Sequence, residues 1–124
     1  MSIENMFGKL DKIDIIAEKP DEKKVLMVLV CNGFIDGSPE TQTALLDKIE
    51  YYLGYAQSEE FKEKYKDWQG IIRLTFGCKP DELVLVLLSK CPAWVEDNGV
   101  ELEIEIGGKQ VHIVENWFFL LLNW

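Results

Sequence analysis

The chain is poor in the residues that build reactive centres. It has one histidine, His112, and three cysteines, Cys31, Cys78 and Cys91. Their spacing fits neither a paired C-x-x-C zinc site nor a disulfide framework. A cysteine nucleophile needs a base, and His112 is the only imidazole able to serve. No G-x-G-x-x-G, P-loop, G-x-S-x-G or H-E-x-x-H is present, which removes the common nucleotide, esterase and metalloprotease signatures. The expectation is no catalytic residue, no metal ligand set and no cofactor.

Basic residues are also scarce. There are 13 Lys+Arg against 22 Asp+Glu, a net charge of −9. Such a balance repels a phosphate backbone unless a basic patch overcomes it. The two basic groups, Lys23-Lys24 and Lys62–Lys66, are interleaved with acids and read as solvated faces. Nucleic acid is therefore not an expected partner. Long apolar runs are missing too: the longest, Trp117–Leu122, is far shorter than the roughly 20 residues a membrane helix needs. The opening Met1–Gly8 lacks a basic segment followed by an apolar one, so no secretory signal is read. All three cysteines sit in apolar runs, where a free thiol behaves as a small hydrophobe. These points predict a cytoplasmic protein with reduced, largely buried cysteines and no membrane association.

What is present is a normal globular core. Hydrophobic residues make up 48% of 124 residues, enough for one domain spanning 1–124 without staples. Lys12–Glu18 reads as a first strand and Pro20-Asp21-Glu22 as a turn. Lys24–Cys31 is a continuous apolar strand, expected to be covered on both faces and paired antiparallel with the first. After a loop at Asn32–Gly37, Ser38 and Pro39 open a helix. Its apolar stripe is Leu45, Leu46, Ile49, Tyr52, Leu53 and Ala56. Ser58 restarts a helix that places Phe61, Tyr65 and Trp68 on one face and closes at Gly70. Ile71–Phe76 is a third strand. Pro80-Asp81-Glu82 opens a second helical region, with Val84, Leu87, Leu88, Cys91 and Val95 inward and Pro92 kinking or splitting it. Val100–Ile106 alternates apolar residues with Glu101, Glu103 and Glu105, and Gly107-Gly108 turns it into a last strand, Lys109–Glu115.

The predicted fold class is α+β, in the order β-β-α-β-α-β-β. It has a single mixed sheet, two helical regions on one face and an apolar C-terminal tail. The run from Lys12 to Ile106 resembles a family of small bacterial proteins known only as a domain of unknown function. The residues carrying the likeness are Ile13-Asp14-Ile15-Ile16, Val25–Val30, the helix Leu45–Tyr55 with its Tyr-Tyr-Leu-Gly-Tyr, Pro80-Asp81-Glu82, and Gly99-Val100-Glu101-Leu102. The resemblance implies the strand and helix order; it brings no activity and no site. The tail beyond Gly108 falls outside it.

Two surfaces draw attention. Glu101, Glu103 and Glu105 share the face of their strand that points away from the core, and His112 on the following strand lies on that side too. A carboxylate beside an imidazole can begin a dyad or a metal site, but a solvated sheet face that offsets glutamate repulsion is the plainer reading. The second is the tail, with Trp117, Phe118, Phe119, Leu121 and Trp124 as a candidate interaction surface, because six consecutive apolar residues do not fit one side of a strand. The loop Asn32–Gly37 has the position of a phosphate cradle but no basic residue, and reads as an ordinary connection. A non-catalytic protein-interaction module follows, with a protein partner that is a second copy or a basic protein. Its sharper form is an immunity-type neutraliser of a basic toxin. The alternative is a small enzyme using Glu/His or Cys chemistry on the open sheet face.

Overall fold

The computed structural model describes residues 2–112. The candidate tail residues Trp117, Phe118, Phe119, Leu121 and Trp124 lie outside them, as does the end of the expected last strand. The described chain is α+β, with one mixed five-stranded sheet in the order β1-β2-β3-β4-β5. The strands are β1 (Ile15–Lys19), β2 (Lys24–Cys31), β3 (Gln69–Phe76), β4 (Val100–Ile106) and β5 (Lys109–Val111). β1 and β5 run antiparallel to their neighbours, while β2, β3 and β4 are parallel. The helices are α1 (Ile3–Phe7), α2 (Pro39–Ala56), α3 (Glu59–Lys64), α4 (Glu82–Ser89) and α5 (Cys91–Asp97).

Local chemistry explains most boundaries. Ser38 Oγ accepts from Thr41 N at 3.2 Å, and Pro39 follows it at the first helical position, where a missing N–H costs nothing. Ser58 caps α3 in the same way, and Asp81 caps α4 by accepting from Leu83 N at 2.8 Å. Gly107 and Gly108 both have positive φ, as a two-residue hairpin turn requires, so Ile106 pairs with Lys109.

The two parallel crossovers step along the sheet in one direction, β2 to β3 to β4. Right-handed crossovers that never reverse deliver their helices to the same side. The buried side chains agree. Met6, Leu45, Tyr52, Phe61, Val84 and Val95 join one cluster with Met27, Leu29, Ile72, Leu74, Val100 and Ile104. Leu26 and Ile71 are buried as well, at 2% and 1% exposure, but they point to the other side and stand outside that cluster.

Several expectations need correction. The first strand starts at Ile15, not Lys12, because the Asp14 carboxylate takes the Val30 amide at 3.0 Å and replaces a ladder bond. The helix carrying Phe61 ends at Lys64, so Tyr65 and Trp68 lie beyond it, and Asp67 turns the chain with φ +67°. Gly70 does not close that helix. It belongs to β3, where a Cβ would sit 3.4 Å from the Phe61 ring. The Pro80–Gly99 region needs no such correction: it is split into two helices, as expected at Pro92, which lies in the first turn of α5, where its ring is tolerated. β2 is not covered alike on both faces, since Val28 and Val30 remain half-buried. An unforeseen α1 sits ahead of β1. Among the described residues no helix is long and apolar enough to cross a membrane.

The cysteines divide. All three are free, but Cys78 is exposed while Cys31 and Cys91 are buried, which corrects the expectation that all three are interior. Burial pushes the Cys91 thiol up to about 11 and raises Cys31 further. Both therefore remain protonated, unreactive thiols at neutral pH. With a thiol-specific chromogenic reagent at pH 8, one cysteine reacts at once. The other two lag on the order of a hundredfold, at the rate of local opening. Replacing Cys78 with Ser removes the fast phase. Three equal fast phases would contradict the packing described.

Candidate functional site

Residues opposite one another in a sheet share a face, so the register defines what lies on the side away from the helices. One row reads Ile15, Val28, Arg73, Glu103 across β1 to β4; the next reads Ala17, Leu26, Ile71, Glu101. A third runs Val30, Thr75, Glu105, Gln110 from β2 to β5. Each row begins apolar and reaches a carboxylate on β4. The face is thus divided into an aliphatic half over β1, β2 and part of β3, and an acidic half over β4.

The acidic half is partly self-neutralised. Arg73 donates from Nη2 and Nε to Glu103 Oε1 at 2.7 and 3.0 Å, a charge-assisted pair between two half-buried side chains. Glu101 is exposed and Glu105 half-buried, and neither forms an ion pair among the described residues. His112 is exposed and follows Val111, the last paired residue of β5, which faces Ile104. One further step of that register meets Glu103, whose carboxylate Arg73 already holds. Among the described residues no hydrogen bond joins His112 to Glu101, Glu103 or Glu105, and no group of three or more His, Cys, Asp or Glu side chains could hold a metal ion.

The most elaborate polar cluster lies inside, on the helical side. Lys48 of α2 is fully buried. Its ammonium donates to Asp14 Oδ1 at 2.8 Å and Oδ2 at 3.0 Å, and to the carbonyl of Phe7. Tyr52, one turn on, donates to the Val28 carbonyl at 3.0 Å and accepts from Asp14 N at 2.9 Å. Burial, aided by the nearby Asp14 carboxylate, pushes the Tyr52 phenol up. One carboxylate and one ammonium therefore tie α1, the entry to β1, β2 and α2 together. Every buried side-chain nitrogen and oxygen among the described residues has a hydrogen-bond partner. Nearby Cys31 is the reverse of a nucleophile. Desolvation raises its thiol, and Lys48's opposing influence is smaller.

Sequence reasoning overlooked this cluster. Its signal was present: Lys48 occupies a stripe position, three residues after Leu45 and four before Tyr52, where a solvated lysine is out of place. Asp14 interrupting Ile13 and Ile15 was the matching clue.

At the carboxyl ends of the strands, the loop before α2 has filled its own anion position. Asp36 Oδ1 accepts from Ser38 N at 2.9 Å and Thr41 Oγ1 at 2.7 Å. These bonds, first with Ser38 and then with Thr41, hold the Asp36 carboxyl below its ordinary range. A phosphate arriving there meets a resident negative charge. Gly37 is explained by packing, since a Cβ would come within 2.5 Å of Asp81 Oδ1 and 2.9 Å of Leu83 Cβ. At the opposite end, Tyr55, Phe61, Tyr65 and Trp68 form a chain of ring contacts with centroids 4.9–5.3 Å apart. Phe61, Tyr65 and Trp68, with Gln57 and Asn98, line an open cleft of about 360 Å³. The cleft lies beside the amino ends of β3 and β4, whereas ligands of open parallel sheets bind beyond the carboxyl ends.

Residues 1–108 match a family of unknown function, DUF6572, and the chain belongs to that family. No curated protein and no solved structure matches it. The internal cluster yields a direct test. Lys48→Ala strands the Asp14 carboxylate beside a cavity and lowers unfolding free energy by about 3–5 kcal/mol. Lys48→Met with Asp14→Asn keeps the stem's packing and removes both charges, so it costs less than the single alanine. Urea denaturation of the three proteins checks the order. A Lys48→Ala loss below about 1 kcal/mol would show that the pair does not hold the fold.

Proposed function

We propose that this member of DUF6572 is a non-catalytic protein-interaction module that works through the helix-free face of its sheet. The observation carrying the reading is the division of that face into an aliphatic half and an acidic half. Apolar area supplies affinity, while the carboxylates steer a basic partner and fix its orientation. The net charge of −9 acts in the same direction over longer range. In its sharper form the protein is a cytoplasmic, immunity-type neutraliser of a basic toxin. Such a role asks for a small acidic domain and no chemistry of its own.

The enzyme alternative receives no support from the geometry. Glu103 is paired with Arg73, His112 meets no carboxylate among the described residues, and the buried thiols are raised rather than lowered. The parallel strands also advance without reversing, so the crevice that a reversal of strand order opens in doubly wound sheets does not form.

The experiment uses the full chain and a Glu101→Lys/Glu105→Lys variant as baits in extract of the native host, with quantitative mass spectrometry. Glu103 is left intact because it holds Arg73. The expected result is one stoichiometric basic protein, released as salt is raised. The variant keeps its melting temperature and retains that protein at least about tenfold less well. Equal retention by both baits, or an acidic partner, would overturn the proposal.

A further inference from the structure

We propose that the cleft at the amino ends of β3 and β4 is a binding site for a small aromatic carboxylate. Its wall is aromatic. Phe61, Tyr65 and Trp68 succeed one another with ring centroids 4.9 and 5.3 Å apart. The Tyr65 hydroxyl donates to Glu18 Oε2 at 2.6 Å, which fixes its ring as backing. Trp68 lines the cleft and is only half-buried, so part of the indole stays open to it. The floor is low because Gly70 and Gly99 carry no side chains; a Cβ on Gly99 would meet nothing within 4 Å. A flat ring can therefore lie against indole and backbone together. The volume of about 360 Å³ is at the small end of ligand sites and holds one or two rings.

Charge selects the other part of the ligand. Lys62 and Lys66 line the same cleft, both exposed, and among the described residues neither forms an ion pair. Lys64 between them turns elsewhere, to Glu18 at 3.9 Å and over the Tyr65 ring. Asp67 is the one acid of the lining, so the rim sets two ammonium groups against one carboxylate, in a chain of net charge −9. Other hollows are the reverse: the one with Glu96 and Glu101, and the one with Glu40 and Asp47, hold acids and no base. A carboxylate at the rim takes charge-assisted hydrogen bonds from the lysines and relieves their mutual repulsion. A nucleotide's several charges would exceed what this rim matches and meet the acidity of the whole chain. The ligand is therefore a monoanion with an aromatic body. Its place at the amino ends has a reason. The carboxyl-end crevice needs a reversal of strand order, which this sheet lacks, and Asp36 fills the anion position there. The cleft is on the helical side, since Gly70 and Val100 share a register row with Val25 of the core. It does not rest on the partner proposed for the helix-free face, and either reading can fail without the other.

The test is an amide-detected NMR titration of the full chain with indole-3-acetate and, separately, with its neutral analogue indole-3-acetamide. The expected result is saturable shifts at Gly70, Asn98, Gly99 and the Trp68 indole N–H, with a Kd of about 1 mM or tighter for the acid. The neutral amide binds about fivefold more weakly or worse, because it lacks the charge that the lysines recognise. Lys62→Gln with Lys66→Gln keeps the melting temperature and weakens binding of the acid about tenfold. Lys12→Gln with Lys109→Gln makes the same change in net charge away from the cleft and leaves binding within about twofold. Absence of saturable shifts at the cleft up to about 5 mM overturns the proposal. So does equal affinity for acid and amide in the native protein, or an equal effect of the two double variants.

Discussion

The constraint on which the molecule depends is the direction of its parallel strands. β2, β3 and β4 succeed one another across the sheet without a reversal. A right-handed connection can then place its helix on only one side, and both connections do so. Everything distinctive follows from this. Among the described residues one face receives the helical layer and the hydrophobic core, the other receives no helix, and the strand order shows no reversal of the kind that opens a ligand crevice. The helix-free face is therefore where the proposed partner would dock.

The buried Lys48–Asp14 pair makes the one-sided arrangement workable. α1 is only five residues long and would fray if left to its own hydrogen bonds. It is held because Phe7 supplies a carbonyl to Lys48, and because Met6 and Phe7 are buried in the core. The same carboxylate completes the edge of β2 at Val30, where β1 has not yet begun. A buried charge is poor evidence of stability in general. This one is compensated by three acceptor oxygens and joins segments far apart in sequence, so it specifies how they meet. Its satisfaction also argues for a structural role. A reactive cysteine is recognised by a lowered pKa and access to substrate, whereas Cys31 beside this cluster is buried and its thiol is raised.

Much of the architecture was legible from residues alone, for identifiable reasons. β2 and β4 were located residue for residue, because one is an unbroken β-branched and aliphatic run and the other alternates strictly. The start of α2 followed from Ser38 and Pro39. Where local pattern failed, a tertiary contact had overridden it. Gly70 looked like a helix stop but is the small residue over which the Phe61 ring passes. Cys78 looked like a strand-flanking core residue but lies just beyond the end of β3, in the exposed turn that begins at Gly77. Lys12 and Ile13 looked like strand, yet Asp14 claims the ladder position. The acidic row was visible as alternation, whereas Arg73 opposite Glu103 was not, because pairing across parallel strands leaves no mark on local sequence. The one feature that a search for chemistry should have caught was a lysine on an apolar stripe.

The central claim is that the helix-free side is a divided surface, with an aliphatic half whose middle is packed at Leu26 and Ile71 and an acidic half over β4. The most direct measurement is methyl NMR of the full chain in the presence of a soluble gadolinium chelate. Leu26 and Ile71 methyls should resist the chelate as well as Ile72 and Leu74 of the core, while Ile15 at the edge and the amides of Glu101 and Gln110 relax strongly. If Leu26 and Ile71 relax as fast as Ile15, the middle of this face is open to solvent, and the packing described for it is wrong.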